Sequence, residues 1–456
     1  MNKQDKLLIP FIDYIFWVLF ILYSDPGGIF EAFNIRYIIG RFNVNDLLFI
    51  IMTICYVVIP KSHNNFDADF IKVRNFLLFF LIYYFIAFVY LVPSHNGSTD
   101  YSIIIALTKS RWALYNILLF IYIYEFFKIS YDVFIKIFVH VSALILVLFL
   151  SQIITKVNIL PIEQINREYI NINRMYSSYI SDGLLLLLIP LGITIYVFKL
   201  KVKYKYMILI GFFLMSTYYF VSSTRRDIIS ILIYFILAVL FNTFITGNYK
   251  VLFGKMVKST LAIIFITLGI YFIFPKYVDA ARVGIVESLN VIENGKETTG
   301  HKDERLGLRP FIFLQFMKHP YFGSGFDNRW RTLEGDKLGY EASDYPFLAA
   351  LAMFGVLGII VFLPVYICLL KYLKNDLKYL RINENQNEYL LYIVLLSFIL
   401  YFIYDLLQYW NYFWPVSNAS RYIWYSSLAF YLGARYRFYF LQSQSTSEYN
   451  QSLKLT

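Results

Sequence analysis

Long apolar runs recur from one end of this chain to the other, and they constrain its fold more than any other feature. Each run is close to the 17–25 residues that an α-helix needs to cross a bilayer. Hydrophobic residues make up 59% of the 456 residues, whereas a soluble domain has about 45–50%. We therefore predict an all-α polytopic membrane protein with 12 transmembrane helices, at residues 7–23, 43–60, 74–92, 112–127, 133–155, 183–199, 206–222, 228–246, 257–275, 345–370, 389–409 and 421–437.

Lysine-rich loops indicate the orientation. The segments 199–205, 250–258 and 371–381 fall on the side of the N-terminal lysines, and basic loops mark the cytoplasmic side. The first run is expected to be an uncleaved span, because Asp13 lies inside it and it has no small-residue cleavage site. The predicted organisation is nine helices in 1–275, a large periplasmic loop in 276–343, three helices in 344–437 and a cytoplasmic tail in 438–456.

Lysine and arginine are distributed differently across this topology. The cytoplasmic side holds 17 Lys and 4 Arg, and the outer side holds 7 Lys and 13 Arg. Lysine is sufficient to set orientation, whereas the planar guanidinium of arginine can bind a phosphate through two parallel hydrogen bonds. The outer face is therefore predicted to bind an anion. The cytoplasmic lysines account for the net charge of +11, so we expect no nucleic-acid partner.

The stretch "VSSTRRDIISILI" (221–233) places Arg225, Arg226 and Asp227 at the outer ends of the seventh and eighth predicted spans. One interpretation is that the arginines extend to the lipid head groups. We favour an anion pocket at a tight helix–helix corner, in which Asp227 holds one guanidinium in place. Burying charge in a membrane is costly, and an anionic ligand at the outer membrane edge would offset that cost.

Two outer loops extend this basic face. The segment "RLGLRPFIFLQFMKHP" (305–320) is too apolar to float in water and too short to span, so we predict a helix at the membrane surface or capping a cavity. The loop 156–182 adds Arg167 and Arg174.

A metal site is not expected, and no cofactor is predicted. No outer histidine has a second His or Cys at ligand spacing. The segment "DAD" (67–69) has the spacing of a metal-binding pair, but it lies in a short cytoplasmic loop, and we expect it to be solvated.

Three motifs resemble, in order and spacing, those of the bacterial O-antigen polymerase and O-antigen ligase superfamily. "VSSTRRDIISILI" resembles its serine–arginine corner, with Arg225 in the arginine position. The second motif, in the outer loop, has an arginine followed by a proline and two glycines, and the third has a leucine and two glycines. The matching residues are Arg305, Pro320, Gly323 and Gly325 in the second motif, and Leu348, Gly355 and Gly358 in the third.

The third motif differs from the ligases at its start. Asp344 stands where the ligases have a histidine, and Tyr345 stands in the asparagine position. This difference favours the polymerase (Wzy-type) branch.

The resemblance implies a C-type glycosyltransferase-like fold in the bacterial inner membrane, with its active site facing the periplasm. Donor and acceptor would be undecaprenyl-pyrophosphate-linked glycans, membrane lipids would surround the chain, and a chain-length regulator protein could be a further partner. The expected reaction is metal-independent polymerisation of repeat units for O-antigen, capsule or a related surface polysaccharide. The alternatives are an O-antigen ligase that transfers glycan to lipid A core, and a lipid-linked oligosaccharide flippase or other transporter.

Site residues follow from the motifs and the outer arginines. Arg225 and Arg305 are expected to bind the donor pyrophosphate, with Arg226 and Arg309 beside them. For the catalytic base, the first candidate is Asp344, which could equally cap the helix that follows it. Glu341 is the alternative base, and His319 is more distant. Further pyrophosphate-binding candidates are Arg167, Arg174, Arg329 and Arg421.

Overall fold

A computed structural model describes the greater part of the chain, and for some of its residues, including Arg167, Arg174, Arg225 and Arg226, it describes the backbone alone. The described residues are 5–25, 27–33, 35, 37–39, 42–59, 68–87, 103–157, 159–161, 163–167, 172–181, 183–200, 202–222, 225–247, 252–276, 278–279, 282, 286, 312–314, 316–323, 346–382, 389–408 and 422–455.

Helices dominate these residues, and two small antiparallel hairpins lie between them. The hairpins were not predicted from the apolar pattern. The elements are α1 (Asp5–Tyr23), β1 (Tyr37–Ile39), β2 (Phe42–Asn43), α2 (Val44–Val58), α3 (Ala68–Tyr84), α4 (Ile103–Thr155), β3 (Glu163–Arg167), β4 (Ile172–Tyr176), α5 (Leu188–Phe198), α6 (Lys205–Ser222), α7 (Arg225–Thr246), α8 (Leu252–Ile273), α9 (Pro346–Ile382), α10 (Tyr389–Gln408) and α11 (Tyr422–Leu455). Short helical turns lie at Ile29–Ala32, Ser178–Ser181 and Leu184–Leu187.

Several of these helices have the length and composition of membrane spans, which confirms the prediction of a helical membrane protein. Within the described residues, five stretches are long and apolar enough to cross a bilayer: Ala68–Ala87, Arg111–Thr155, Lys205–Ser222, Ile228–Thr246 and Phe354–Lys378. Shorter apolar helices lie at Pro10–Tyr23, Val44–Val58, Leu184–Phe198 and Val394–Ile403.

Helix α4 consists of two halves that meet at Ser130, whose backbone is not helical (φ −132°, ψ 39°). Arg111 pairs with Asp46 at 3.2 Å, and a Cβ on Gly27 would lie 2.9 Å from Ile145. In one straight helix, Arg111 and Ile145 would be about 50 Å apart. The chain from Gly27 to Asp46 includes a short helix and the β1–β2 hairpin, which leaves little length to bridge that distance. We infer that the halves turn back on each other at Ser130.

An aromatic core joins α1, α4 and α11. Trp17 is fully buried and donates a hydrogen bond from its indole Nε1 to Ser130 Oγ at 2.9 Å. Its ring lies 4.8 Å from that of Phe134 and 6.1 Å from that of Phe430. Such ring pairs stabilise a core beyond the area that they bury, and the indole N–H finds a partner inside the bundle. The kink at Ser130 is thereby fixed against the first helix.

Candidate functional site

Residues 320–323 of the predicted outer loop dock against a break in helix α9. At Gly355 the backbone leaves the helix (φ 63°, ψ −178°). The next two amides bond to the loop instead: Val356 N donates to Pro320 O at 2.8 Å, and Leu357 N donates to Tyr321 O at 3.1 Å. Non-helical backbone at membrane depth is tolerated only where its polar groups find partners. The loop backbone supplies those partners.

Glycine is required at this contact for two reasons. Its φ and ψ lie in a region that is essentially restricted to glycine. In addition, a Cβ on Gly355 would lie 2.2 Å from Tyr321 O and 2.7 Å from Gly323 N. Three residues on, a Cβ at Gly358 would lie 3.3 Å from Tyr83 Cε1. The second and third sequence motifs therefore meet at this break.

The docked segment is a tight turn that follows a helical stretch with two different faces. Backbone bonds join His319 N to Phe316 O at 3.1 Å and Gly323 N to His319 O at 2.9 Å. Residues 312–314 and 316–318 are helical. Ile312 is buried, while Phe313, Leu314, Met317 and Tyr321 are exposed. An exposed apolar face next to a membrane helix is typical of a segment that lies in the bilayer interface.

The arginine corner lies between α6 and α7. Helix α6 ends at Ser222 and α7 begins at Arg225, so Arg225 and Arg226 are the first two residues of α7. A helix N-terminus carries a partial positive charge, so cations there are unfavourable and an anion is favourable. Helix α7 packs against both α9 and α10. The helix that begins with the arginines is thus a neighbour of the helix that breaks at Gly355.

The second outer loop is anchored beside this corner. Tyr218 is fully buried in α6; its hydroxyl donates to Ser177 O at 2.9 Å and accepts from Ser177 N at 3.2 Å. Strand β4 packs against α6. The register pairs Arg167 with Ile172 and Arg174 with Ile165, so the two arginines share one face of the hairpin. The hairpin is therefore held four residues before the end of α6.

Six predicted site residues lie outside the described residues, and their roles stay predictions. They are Arg305, Arg309, Arg329, Glu341, Asp344 and Arg421. For Arg167, Arg174, Arg225 and Arg226 the backbone position is known: Arg225 and Arg226 begin α7, Arg167 is the last residue of β3, and Arg174 lies in the middle of β4, the strand that packs against α6.

Sequence reasoning missed a charged cluster at the opposite end of the bundle. Asp376 is fully buried and accepts from Tyr431 Oη at 2.5 Å, Tyr439 Oη at 2.6 Å and Arg435 Nε at 2.8 Å. The other end of the Arg435 guanidinium pairs with Asp69. We call these five residues the Asp376–Arg435 cluster. It joins α3, α9 and α11 at the end that carries the predicted cytoplasmic lysines.

This cluster corrects the interpretation of Asp69 as part of a solvated loop, whereas Asp67 lies outside the described residues. Asp69 lies in the first turn of α3 and forms an ion pair with Arg435. The pattern that could have revealed it is the spacing of Tyr431, Arg435 and Tyr439, which puts three polar groups on one face of α11.

Within the described part of the chain, no group of three His, Cys, Asp or Glu side chains could hold a metal ion. A metal-independent reaction remains an expectation from the sequence.

Comparison with protein-family models gives no match, and no curated protein matches the chain. The motifs and the geometry described above are therefore the basis for assigning a function.

Proposed function

We propose that this chain polymerises undecaprenyl-pyrophosphate-linked oligosaccharide repeat units at the outer face of the bacterial inner membrane. The observation that supports this most strongly is the docking of residues 320–323 onto Gly355. It joins the second and third of the motifs that resemble those of the O-antigen polymerases, and it lies next to the helix that begins with Arg225, the arginine of the first motif.

The chemistry follows from the charge that develops in the reaction. A hydroxyl oxygen of the acceptor glycan attacks the anomeric carbon of the donor, the bond from that carbon to the pyrophosphate breaks, and the hydroxyl proton passes to a base. Arg225 and Arg305, with the N-terminus of α7, would neutralise the leaving pyrophosphate without a metal. Asp344 or Glu341 would accept the proton.

The helices are consistent with the 12-span topology that this function requires. Helices α1 to α3, the two halves of α4 and helices α5 to α11 would be the twelve passes of this topology, and both chain ends would then be cytoplasmic. A reporter that is active only in the cytoplasm, fused after Gly300, should give no signal. A bright reporter at that position would reverse the proposed orientation of the long loop.

The flippase alternative is less well supported. A flippase must open towards the cytoplasm, whereas the Asp376–Arg435 cluster ties three helices together at that end. Removing one partner of a buried ion pair costs about 3–5 kcal/mol, so repeated opening there would be expensive. Near the same end, Glu125 and Lys128 pair at 2.8 Å and cancel each other's charge. Asp13 is a buried acid without such a pair among the described residues, and it is the observation that favours transport.

One assay separates the three candidates. Purified protein is incubated with lipid-linked repeat units, with and without lipid A core. A ladder of longer lipid-linked glycans identifies a polymerase, and transfer to lipid A core identifies a ligase. If neither product forms, while vesicles containing the protein move the lipid-linked units across the bilayer, the chain is a transporter.

A further inference from the structure

The exposed face of helix α9 changes from apolar to basic along its length. Ile360, Leu363, Ile367 and Leu370 are exposed, and so are Lys371, Lys374 and Lys378. The four apolar positions are spaced three or four residues apart, as are the three lysines, and Lys371 directly follows Leu370 and lies four residues after Ile367, so they form one continuous face. We call the three lysines the lysine stripe.

The position of the stripe matches the head groups of the cytoplasmic leaflet. At 1.5 Å per residue, the apolar part from Ile360 to Leu370 covers about 15 Å, and the stripe covers about 10 Å more. The apolar part would face lipid tails. The first ammonium group then lies where the hydrocarbon ends, and the next two lie among the phosphates.

The lysines have no acidic partner within the described part of the chain. The ion pairs found there join other residues. The acid on this segment of α9, Asp376, lies on the opposite, buried face and accepts from Tyr431, Tyr439 and Arg435. The charge of the stripe is therefore available to an external anion.

The buried face of α9, opposite the lysine stripe, holds the stripe in place. Tyr372, Leu373, Asp376 and Leu380 are buried, and the Tyr372 ring lies 4.7 Å from the guanidinium carbon of Arg435. Tyr372 and Asp376 therefore fix this part of α9 to α11 through Arg435, Tyr431 and Tyr439. A cationic surface on a fixed helix loses less conformational entropy on binding than one on a free loop.

We propose that the lysine stripe binds the head groups of anionic phospholipids in the cytoplasmic leaflet. The continuity of the stripe with the lipid-facing side of α9 selects a lipid over a soluble partner. Basic residues next to a membrane helix are attracted to anionic lipid surfaces. The proposal is independent of the glycan chemistry at the other face.

The test compares the purified full chain in nanodiscs of phosphatidylcholine with the same chain in nanodiscs that also contain phosphatidylglycerol. Wild-type protein should have a higher midpoint of thermal unfolding in the anionic nanodiscs, and high salt should reduce the difference, because salt screens exposed charges. The triple variant K371Q/K374Q/K378Q should lose at least half of the difference. The triple lysine-to-arginine variant should retain it.

Three exposed lysines elsewhere, Lys156, Lys199 and Lys276, supply the matched control. The variant K156Q/K199Q/K276Q changes the net charge equally and should keep the wild-type lipid effect. The proposal is wrong if the stripe variant keeps the full difference in unfolding midpoint between the two kinds of nanodisc. It is also wrong if the control variant loses as much of that difference as the stripe variant does. A stripe variant that only alters membrane orientation in cells, with the lipid effect intact in nanodiscs, would make the lysines a topology signal and would also overturn it.

Discussion

At the scale of single residues, the structure strongly restricts which amino acid can occupy position 355, where the sequence has Gly355. A Cβ there would lie 2.2 Å from Tyr321 O, and the backbone conformation costs about 1–3 kcal/mol for other residues. We expect Gly355→Ala to displace the loop from α9 and to slow polymerisation by roughly a hundredfold, since small misplacements in an active site have effects of that size. Rates of ladder formation with lipid-linked units would measure this.

The control for that variant is Gly254→Ala. Gly254 lies in α8, and a Cβ there would have no neighbour within 4 Å. It should polymerise at the wild-type rate. If Gly355→Ala does the same, the contact between the loop and α9 has no part in the reaction.

The expected role of Arg225 and Arg305 in binding the donor pyrophosphate can be tested by a substitution that keeps their charge. Lysine lacks the planar fork of arginine, so we expect Arg225→Lys and Arg305→Lys each to lower the polymerisation rate roughly tenfold or more while expression is unchanged. Arg74→Lys, in α3 near the predicted cytoplasmic end, is the matched control. If both site variants polymerise at the wild-type rate, these arginines interact only with lipid head groups.

The catalytic base is the third question at this scale. Helix α9 is described from Pro346 onward, and Asp344 lies outside the described residues, so both of its roles, as base and as helix cap, stay predictions. Asparagine still caps a helix but cannot accept a proton. We expect Asp344→Asn to abolish chain extension in an assay in which donor binding is retained. Extension near the wild-type rate would make Asp344 a cap and would shift the role of base to Glu341.

At the scale of elements, the Asp376–Arg435 cluster holds α3, α9 and α11 together. Arg435→Gln would leave the buried Asp376 carboxylate without its cationic partner, and such losses cost about 3–5 kcal/mol. We expect a clearly lower unfolding midpoint in detergent, with the protein that remains folded still forming a glycan ladder, because the cluster lies far from the outer loop. A stability equal to that of the wild type would show that the cluster does not hold these helices.

The sequence predicted the elements better than their contacts. Apolar length located the helices, and the charges around residues 128–132 separated the spans that meet at Ser130. The glycine motif pointed to Gly355, yet its partner Tyr321 is 34 positions away, and no periodic pattern connects the two. Asp69 was assigned to solvent because its partner, Arg435, lies on the last helix. Pairings over such separations depend on how helices pack, which local patterns do not encode.

At the scale of the whole molecule, the proposed substrate binding and catalysis take place at the outer end of the bundle. At the cytoplasmic end, side-chain contacts hold the helices together. The basic outer loops, the break in α9 and the arginine corner share the first end. The Asp376–Arg435 cluster and the lysine stripe share the second. If the proposed function is correct, such a chain would take its substrate from the outer leaflet without opening through the membrane.

The most direct test of the central claim is polymerisation by the purified protein in nanodiscs, with defined undecaprenyl-pyrophosphate-linked repeat units and excess metal chelator. The account predicts a ladder of lengthened lipid-linked glycans with the chelator present, because arginines rather than a metal neutralise the leaving pyrophosphate. The folded wild-type protein should form it, and Arg225→Lys should form it far more slowly. A folded wild-type protein that binds the donor and extends no glycan, or that does so only when a divalent metal is restored, would contradict the account.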